Sequence, residues 1–287
     1  MRPLAPLDLL HQNAERVIGV YLLETDEGLA LFDCGPATTV PALHARLAER
    51  GLSLTDVRHL LLSHIHLDHA GAAGVLVREH PGLRVHVSAV GAPHLVDPSR
   101  LEHSARRLYG DDFDRLWGEL VPVPESNVDV VDGRVLGLDS FEAPGHASHH
   151  LVYLDPEGNA LCGDAAGVRI QPARFVLPPT PPPEIDVEAW NATIDELERR
   201  SPERLALIHF GVVEDVEPHL ASLRRRLTDW AERVGAGASE EEFVAAAEAE
   251  LAEAEPAQAA LYQHAIPFAQ SYAGLQRYWS KRRATPA

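Results

Sequence analysis

The chain has 287 residues, 45% of them hydrophobic, enough for one large domain or two small ones around a substantial core. Its formal net charge of -18 argues against nucleic acid as a partner, because an acidic surface repels a phosphate backbone. No apolar run reaches the roughly 18 residues of a membrane span, Met1–Leu10 lacks a signal-peptide pattern, and two cysteines, Cys34 and Cys162, argue against a disulfide framework. A cytoplasmic protein is the default expectation, with neither nucleic acid nor membrane as partner.

In chain order, Val17–Leu23 reads as a strand and Glu24–Gly28 as a turn. Leu29–Phe32 is the return strand, ending in Asp33-Cys34-Gly35-Pro36. Val40, Leu43 and Leu47 have helical spacing, with Gly51 as a stop. Val57–Leu62 is a continuous apolar-rich run, the pattern of a fully buried strand. It breaks into Ser63-His64-Ile65-His66-Leu67-Asp68-His69, three imidazoles and a carboxylate within six residues. These groups are the usual ligands of zinc and similar ions. Alternation along an extended segment aims His64 and His66 the same way, and displaces Asp68 and His69 onto the following turn. One loop could thus serve two adjacent ions.

A short helix is expected over Ala70–His80, where Ala70, Gly71, Ala72, Ala73 and Gly74 allow close packing. A strand ends at Ser88. Residues 89–133 are the least readable; Arg106, Arg107, Tyr109, Phe113 and Trp117 fall in helix and are assigned to core and surface rather than to a pocket wall. A weakly alternating strand, Arg134–Glu142, leads to Ala143-Pro144-Gly145-His146, a tight turn carrying an imidazole. His149 is read as an exposed histidine. Leu151–Leu154 and Ala160–Asp164 form a hairpin that ends on Asp164, with Cys162 as a small buried residue. The proline-rich loop Arg169–Pro183 is expected as a rigid arm over the pocket, with Phe175 and Val176 touching it. Asp186 caps a helix striped by Val187, Trp190, Ile194 and Leu197. Leu205–Ile208 is a strand delivering His209, and Pro218–Val234 a helix with Leu220, Leu223, Leu227 and Trp230 on one face. Gly235–Ala238 is a hinge; Ser239 and Glu242 make a capping box for two or three further helices rich in aromatic residues.

His-x-His-x-Asp-His, then Pro-Gly-His, then Gly-Asp, then a final His, in that order over residues 13–235, resembles the metallo-β-lactamase superfamily. The resemblance implies an α/β fold, the four-layer αββα sandwich, as a catalytic domain over 1–235 with a C-terminal helical extension over 236–287. It implies two divalent metal ions, zinc first and iron or manganese as alternatives. His64, His66 and His146 would hold one ion, Asp68, His69 and His209 the other, and Asp164 would bridge them. Asp33 would support the ligands, and His150 would brace the loop without binding metal. The implied activity is a metallo-hydrolase in which a metal-bridging hydroxide attacks an ester, lactone or thioester carbonyl, with Asp68 as the catalytic proton carrier. The pattern is similar to lactonases and to glyoxalase II. Gly167 stands where lactonases often place a tyrosine, so Tyr109 or a tail tyrosine becomes the alternative donor; Arg277, Lys281, Arg282 and Arg283 are candidates for a glyoxalase II-like basic site. An iron-dependent oxidoreductase of the persulfide dioxygenase type, or a phosphodiesterase or nuclease, is the alternative on the same scaffold. The extension is expected to pair subunits into a homodimer or to cap the core, ahead of a direct role with substrate.

Overall fold

The apolar runs pair into two six-stranded sheets, seen in a computed structural model that describes residues 4–284. The first holds β1 (Leu7–Asp8), β2 (Gly19–Thr25), β3 (Gly28–Phe32), β4 (Val57–Leu61), β5 (Arg84–Val87) and β6 (Val128–Val130) in sequence order. β1, β2 and β3 are antiparallel, and β3 to β6 run parallel. The second holds β7 (Arg134–Val135), β8 (Leu138–Glu142), β9 (Leu151–Leu154), β10 (Asn159–Gly163), β11 (Arg204–Leu207) and β12 (Gly211–Val213), likewise in sequence order. It is antiparallel except where β10 meets β11.

Both faces of the second sheet are covered, which explains its unbroken apolar strands. Leu151, Tyr153, Leu161 and Ala206 turn into the core shared with the first sheet. Their neighbours Val152, Ala160, Cys162, Leu205 and Leu207 turn outward, under helices Val187–Arg200 and Val216–Gly235. Helices Val40–Ala48 and Ala73–Glu79 cover the first sheet, completing four layers. The expected helical stripes are buried, and Asp186 accepts the Ala189 N–H as a cap.

Two tyrosines stitch the sheets together at the end that matters. Tyr21 donates its hydroxyl to the Leu207 carbonyl at 2.8 Å, and Tyr153 donates to the Leu62 carbonyl at 2.9 Å. The backbone joins across the same edge, Gly19 N–H to Ile208 O and Leu151 N–H to Ser63 O. The chain ends that follow β4, β8, β10 and β11 are thereby held side by side.

Several elements differ from expectation. The strand expected from Val17 starts at Gly19, because the carbonyls of Val17 and Ile18 bond to His209 and Leu9 instead. The helix expected from Ala70 is two pieces, Leu67–Ala70 and Ala73–Glu79, so Asp68 and His69 sit on a first helical turn. Gly71 and Gly74 permit this packing; a Cβ on them would fall 2.4 Å from Leu67 O and 1.8 Å from Val121 O. The C-terminal chain forms three helices, Glu240–Ala254, Ala259–Ala265 and Phe268–Ala284, with the Ser239–Glu242 capping box in place. Phe243, Tyr262, Phe268, Tyr272 and Tyr278 pack in the same cluster as Leu227 and Trp230. Among the described residues no helix is long and apolar enough to cross a membrane.

Candidate metal centre

Five of the predicted ligands follow strand ends directly, and Asp68 and His69 sit on the helical turn just after His66. β4 runs into Ser63, His64 and His66; β8 leads to the turn bearing His146; β10 ends before Asp164; β11 leads to His209. All seven predicted ligands converge. His64, His66 and His146 each offer a ring nitrogen within 4.8 Å of the others, as do the coordinating-type atoms of Asp68, His69 and His209. Asp164 lies between the two sets, 3.3 Å from His146 Nε2 and 3.4 Å from His69 Nε2. His66 Nδ1 is 2.9 Å from His146 Nε2, and Asp68 is 3.3 Å from His209 Nε2.

The outward nitrogens of the rings are fixed by partners. His146 Nδ1 donates to Pro179 O at 2.8 Å, His209 Nδ1 to Val17 O at 2.5 Å, and His69 Nδ1 to Asp33 at 2.7 Å. Ser63 Oγ donates to Asp33 at 2.7 Å and faces His64 Nδ1 at 3.0 Å. These bonds engage the Nδ1 side of the rings and turn the opposite nitrogens inward, where they can present lone pairs to a cation once unprotonated. Buried His64 Nε2, His69 Nε2, His209 Nε2 and Asp164 Oδ1 then have no hydrogen-bond partner. Buried polar atoms are ordinarily paired. Four orphans converging from three chain segments fit a cation.

The charges agree with that chemistry. Burial and neighbouring imidazoles hold His64 and His66 well below the ordinary histidine range, in the neutral form a metal needs. Burial would lower His69 and His209 too, but the carboxylates of Asp68 and Asp164 outweigh it and raise both. Burial acts to raise Asp68 and Asp164, and the facing histidines reverse it, so both carboxyls are held low and ionised.

Asp33 adopts a left-handed φ of 58°, uncommon for a non-glycine residue. There its carboxylate accepts from Ser63 N–H, Ser63 Oγ–H and His69 Nδ1–H, as its expected supporting role requires. Gly145 has φ +129°, and a Cβ on it would lie 2.3 Å from Trp190. Gly145→Ala should therefore lower stability by about 2–4 kcal/mol through backbone strain and overpacking, visible as a depressed Tm in thermal denaturation.

A cavity of about 760 Å³ opens on this cluster. Its walls correct several expectations. Tyr109, Arg107 and Trp117 line it, whereas Phe113 is core and Arg106 is a surface residue paired with Glu102 and Asp114. The helical spacing of Leu101, Ala105 and Leu108 in the segment between β5 and β6 marks an apolar face but not what that face meets, so the cavity wall is not readable from the sequence. His149 is buried, not exposed: Ile65 N–H reaches its Nδ1 at 3.4 Å, and burial lowers its pKa to about 4. Pro181, Pro182 and Pro183 form the expected arm, but Phe175 and Val176 lie in the second core, Phe175 between Tyr262 and Arg226. The C-terminal helices cap the core and also contribute His264, Ile266, Gln270 and Arg277 to the cavity wall. Of the tail cations, Arg282 pairs with Glu188, Arg283 donates to Gly235 O and Lys281 to Pro183 O, which leaves Arg277 at the cavity.

His150 accepts the Asp164 N–H at 3.2 Å, bracing that loop as expected, and Cys162 is a buried free thiol. His11 joins the site without a signal in the sequence. Its ring is 4% exposed, lines the cavity and stacks on Trp117 at 5.5 Å. Burial lowers its pKa to about 4, and Nδ1 has no partner. Leu10, Gln12, Asn13 and Arg16 around it all have positive φ. A lone histidine in a short polar stretch gives no hint of this placement.

Known proteins share this architecture. Residues 15–211 match the family model described as metallo-beta-lactamase superfamily. The chain is 28% identical over 155 residues to an atrochrysone carboxyl ACP thioesterase of Emericella nidulans, covering 53% of this chain and 41% of that one. It is 28% identical over 171 residues to the probable metallo-hydrolase YqjP of Bacillus subtilis, covering 50% and 51%. The chain thus spans about half or less of these relatives' lengths. A metallo-beta-lactamase family protein of Thermus thermophilus superposes with a TM-score of 0.70 at 23% identity, over 99% of this chain and 94% of that one. A further structure, of TTHA1623 in a di-iron-bound form, gives a TM-score of 0.55 at 27% identity, over 73% and 93%. With its ordered cluster of histidines and aspartates at the edge of two sheets, this chain belongs to the metallo-beta-lactamase superfamily.

Proposed function

We propose that the protein is a dinuclear metal-dependent hydrolase of carbonyl substrates, an ester, lactone or thioester of small-molecule size. The observation that carries this is the set of buried, inward-facing orphan atoms on His64, His69, His209 and Asp164. His64, His66 and His146 would hold one ion, Asp68, His69 and His209 the other, and Asp164 both. Imidazole and carboxylate donors favour zinc, with iron and manganese as alternatives. When bound, such ions supply Lewis acidity and lower the pKa of water towards neutrality.

The chain's own residues supply the rest. Asp68 is the predicted ligand carboxylate whose side chain is 18% exposed, at the cavity floor, where it can take and return a proton. Gly167, at the position of the lactonase tyrosine, has φ +74°, and its Cβ would meet Leu177 O at 2.9 Å. The buried tail tyrosines are engaged elsewhere: Tyr262 with Ile170 and Phe175, Tyr272 with Ala238, Tyr278 with Glu188. Tyr109 lines the cavity within electrostatic reach of Asp68, and burial keeps its phenol protonated. It is our choice for the proton given to the leaving group.

The test is a substrate panel of lactones, thioesters, carboxylic esters and phosphodiesters, assayed on zinc, manganese and iron forms. Zinc-supported turnover of a carbonyl substrate is expected. Turnover confined to phosphodiesters, or oxygen consumption confined to the iron form, would overturn the reading. Asp33→Asn removes the acceptor that fixes His69 and Ser63, and should weaken metal affinity about 10–100-fold; competition against a chromophoric chelator measures it.

A further inference from the structure

Helix Ser99–Tyr109 presents two adjoining stripes to the cavity. Leu101, Ala105 and Leu108 recur at helical spacing and make an apolar wall; Arg100, Ser104 and Arg107 run beside them. The arginines are unusual for this chain, which carries 43 acidic residues against 25 basic ones. Most of its cavity-remote arginines are paired with carboxylates, as Arg78, Arg84, Arg106 and Arg224 are. Arg100 and Arg107 make no hydrogen bond or ion pair among the described residues; Arg100 senses Asp97 only at a distance. Arg277, from the last helix, faces the same cavity and donates only its Nε–H, to Pro183 O. All three guanidinium residues are exposed, at the cavity's rim rather than its floor. The carboxylates that share the lining are already engaged: Asp112 accepts from Arg115, and Glu184 accepts from Ser148 N–H and Oγ–H.

Free cations at the mouth, an apolar wall inside and the ligand cluster at the floor describe an order of substrate parts. An acyl chain would lie against Leu101 and Leu108, with its carbonyl at the floor and an anionic portion at the rim. Guanidinium forks suit phosphate.

We propose that the natural substrate class is an acyl thioester whose leaving group is phosphorylated, of the acyl-coenzyme A kind, held by Arg100, Arg107 and Arg277. This rests on the carbonyl-hydrolase reading above. In the reaction, water's oxygen forms the new bond to the acyl carbon and the carbon–sulfur bond breaks. The sulfur leaves with one of water's protons as the thiol, the acid is released as carboxylate, and the second proton passes to solvent.

Two probes with the same acyl group separate the ideas: butyryl-coenzyme A, and butyryl-N-acetylcysteamine, whose leaving group is uncharged. Wild-type kcat/KM should be about 10–100-fold higher for the first. An Arg100→Ala/Arg107→Ala variant should lose about tenfold on butyryl-coenzyme A, mainly in KM, and keep its rate on the uncharged thioester. Raising salt from low to high should mimic the variant. Equal wild-type kcat/KM for the two probes, or equal slowing of both in the variant, overturns the proposal while leaving hydrolysis intact. If neither probe turns over, calorimetry with coenzyme A alone decides: binding that the variant loses supports the rim site, and no binding to wild type overturns it. Absence of carbonyl turnover across the wider panel, by contrast, sinks the hydrolase reading.

Discussion

Asp68→Asn should cut kcat/KM by on the order of 10³-fold while leaving the fold intact. Asparagine keeps the volume and one oxygen, so the turn into Leu67–Ala70 has no steric reason to change. What it loses is charge and basicity. Asp68 stands 3.3 Å from His209 Nε2 and 3.7 Å from His69 Nε2, and its side chain is the more exposed of the two carboxylates that line the cavity from the predicted set, 18% against 3% for Asp164. A neutral amide can neither carry the proton nor offset a cation between those rings. The same substitution tests the assignment of ions. His64, His66 and His146 are untouched, so zinc content measured by elemental analysis should fall from two per chain to one. Wild-type turnover in this variant would sink the mechanism. Loss of both ions together would sink the division into two ligand sets.

The parts of the site that are legible in the sequence share a physical cause. A metal cluster needs polar groups at the ends of buried strands, and such strands announce themselves as apolar runs that stop abruptly. Leu60–Leu62 before His64, Leu161–Gly163 before Asp164 and Leu205–Ile208 before His209 all do this. Pro144 and Gly145 mark the fourth element because only a residue without a Cβ fits against Trp190. The cavity wall is not legible because no local rule governs it. Tyr109 and Arg107 sit on a helix whose inward side is set by what lies across the cavity. His11 is placed by a run of left-handed residues that lack glycine, the usual sign of that conformation. Gln270 and Ile266 arrive from a C-terminal element more than a hundred residues beyond His146, and long-range packing of that kind leaves no periodic trace. His149 shows the limit from the other side. A histidine flanked by Ser148 and His150 reads as exposed, yet the Ser63–Leu151 backbone bond draws it under Ile65.

Removing metal should lower Tm on the order of 10 °C, and the gap should widen as pH rises from about 7 to 9. An ion binding only the folded chain at about a thousand times its Kd contributes about 4 kcal/mol, and a domain of this size loses about 2–4 °C per kcal/mol. The pH dependence follows from the rings. His69 and His209 have folded-state pKa values raised above their unfolded ones by Asp68 and Asp164. In the metal-free protein their ion pairs contribute stability that is complete below about pH 6.5 and is lost as pH rises through the raised values. His64, His66 and His146 have depressed pKa values, so the stability they withhold in acid is restored by neutral pH and adds no slope above it. Asp68 and Asp164 are ionised throughout this window. The metal-free protein therefore weakens towards pH 9. The metal-loaded protein moves the other way, because binding requires His69 and His209 to give up their protons, and that becomes easier as pH rises. Thermal denaturation of chelated and zinc-loaded protein at pH 7 and pH 9 measures both slopes. A gap that is absent, or that narrows with pH, would mean that the orphan nitrogens of His69 and His209 do not meet a cation.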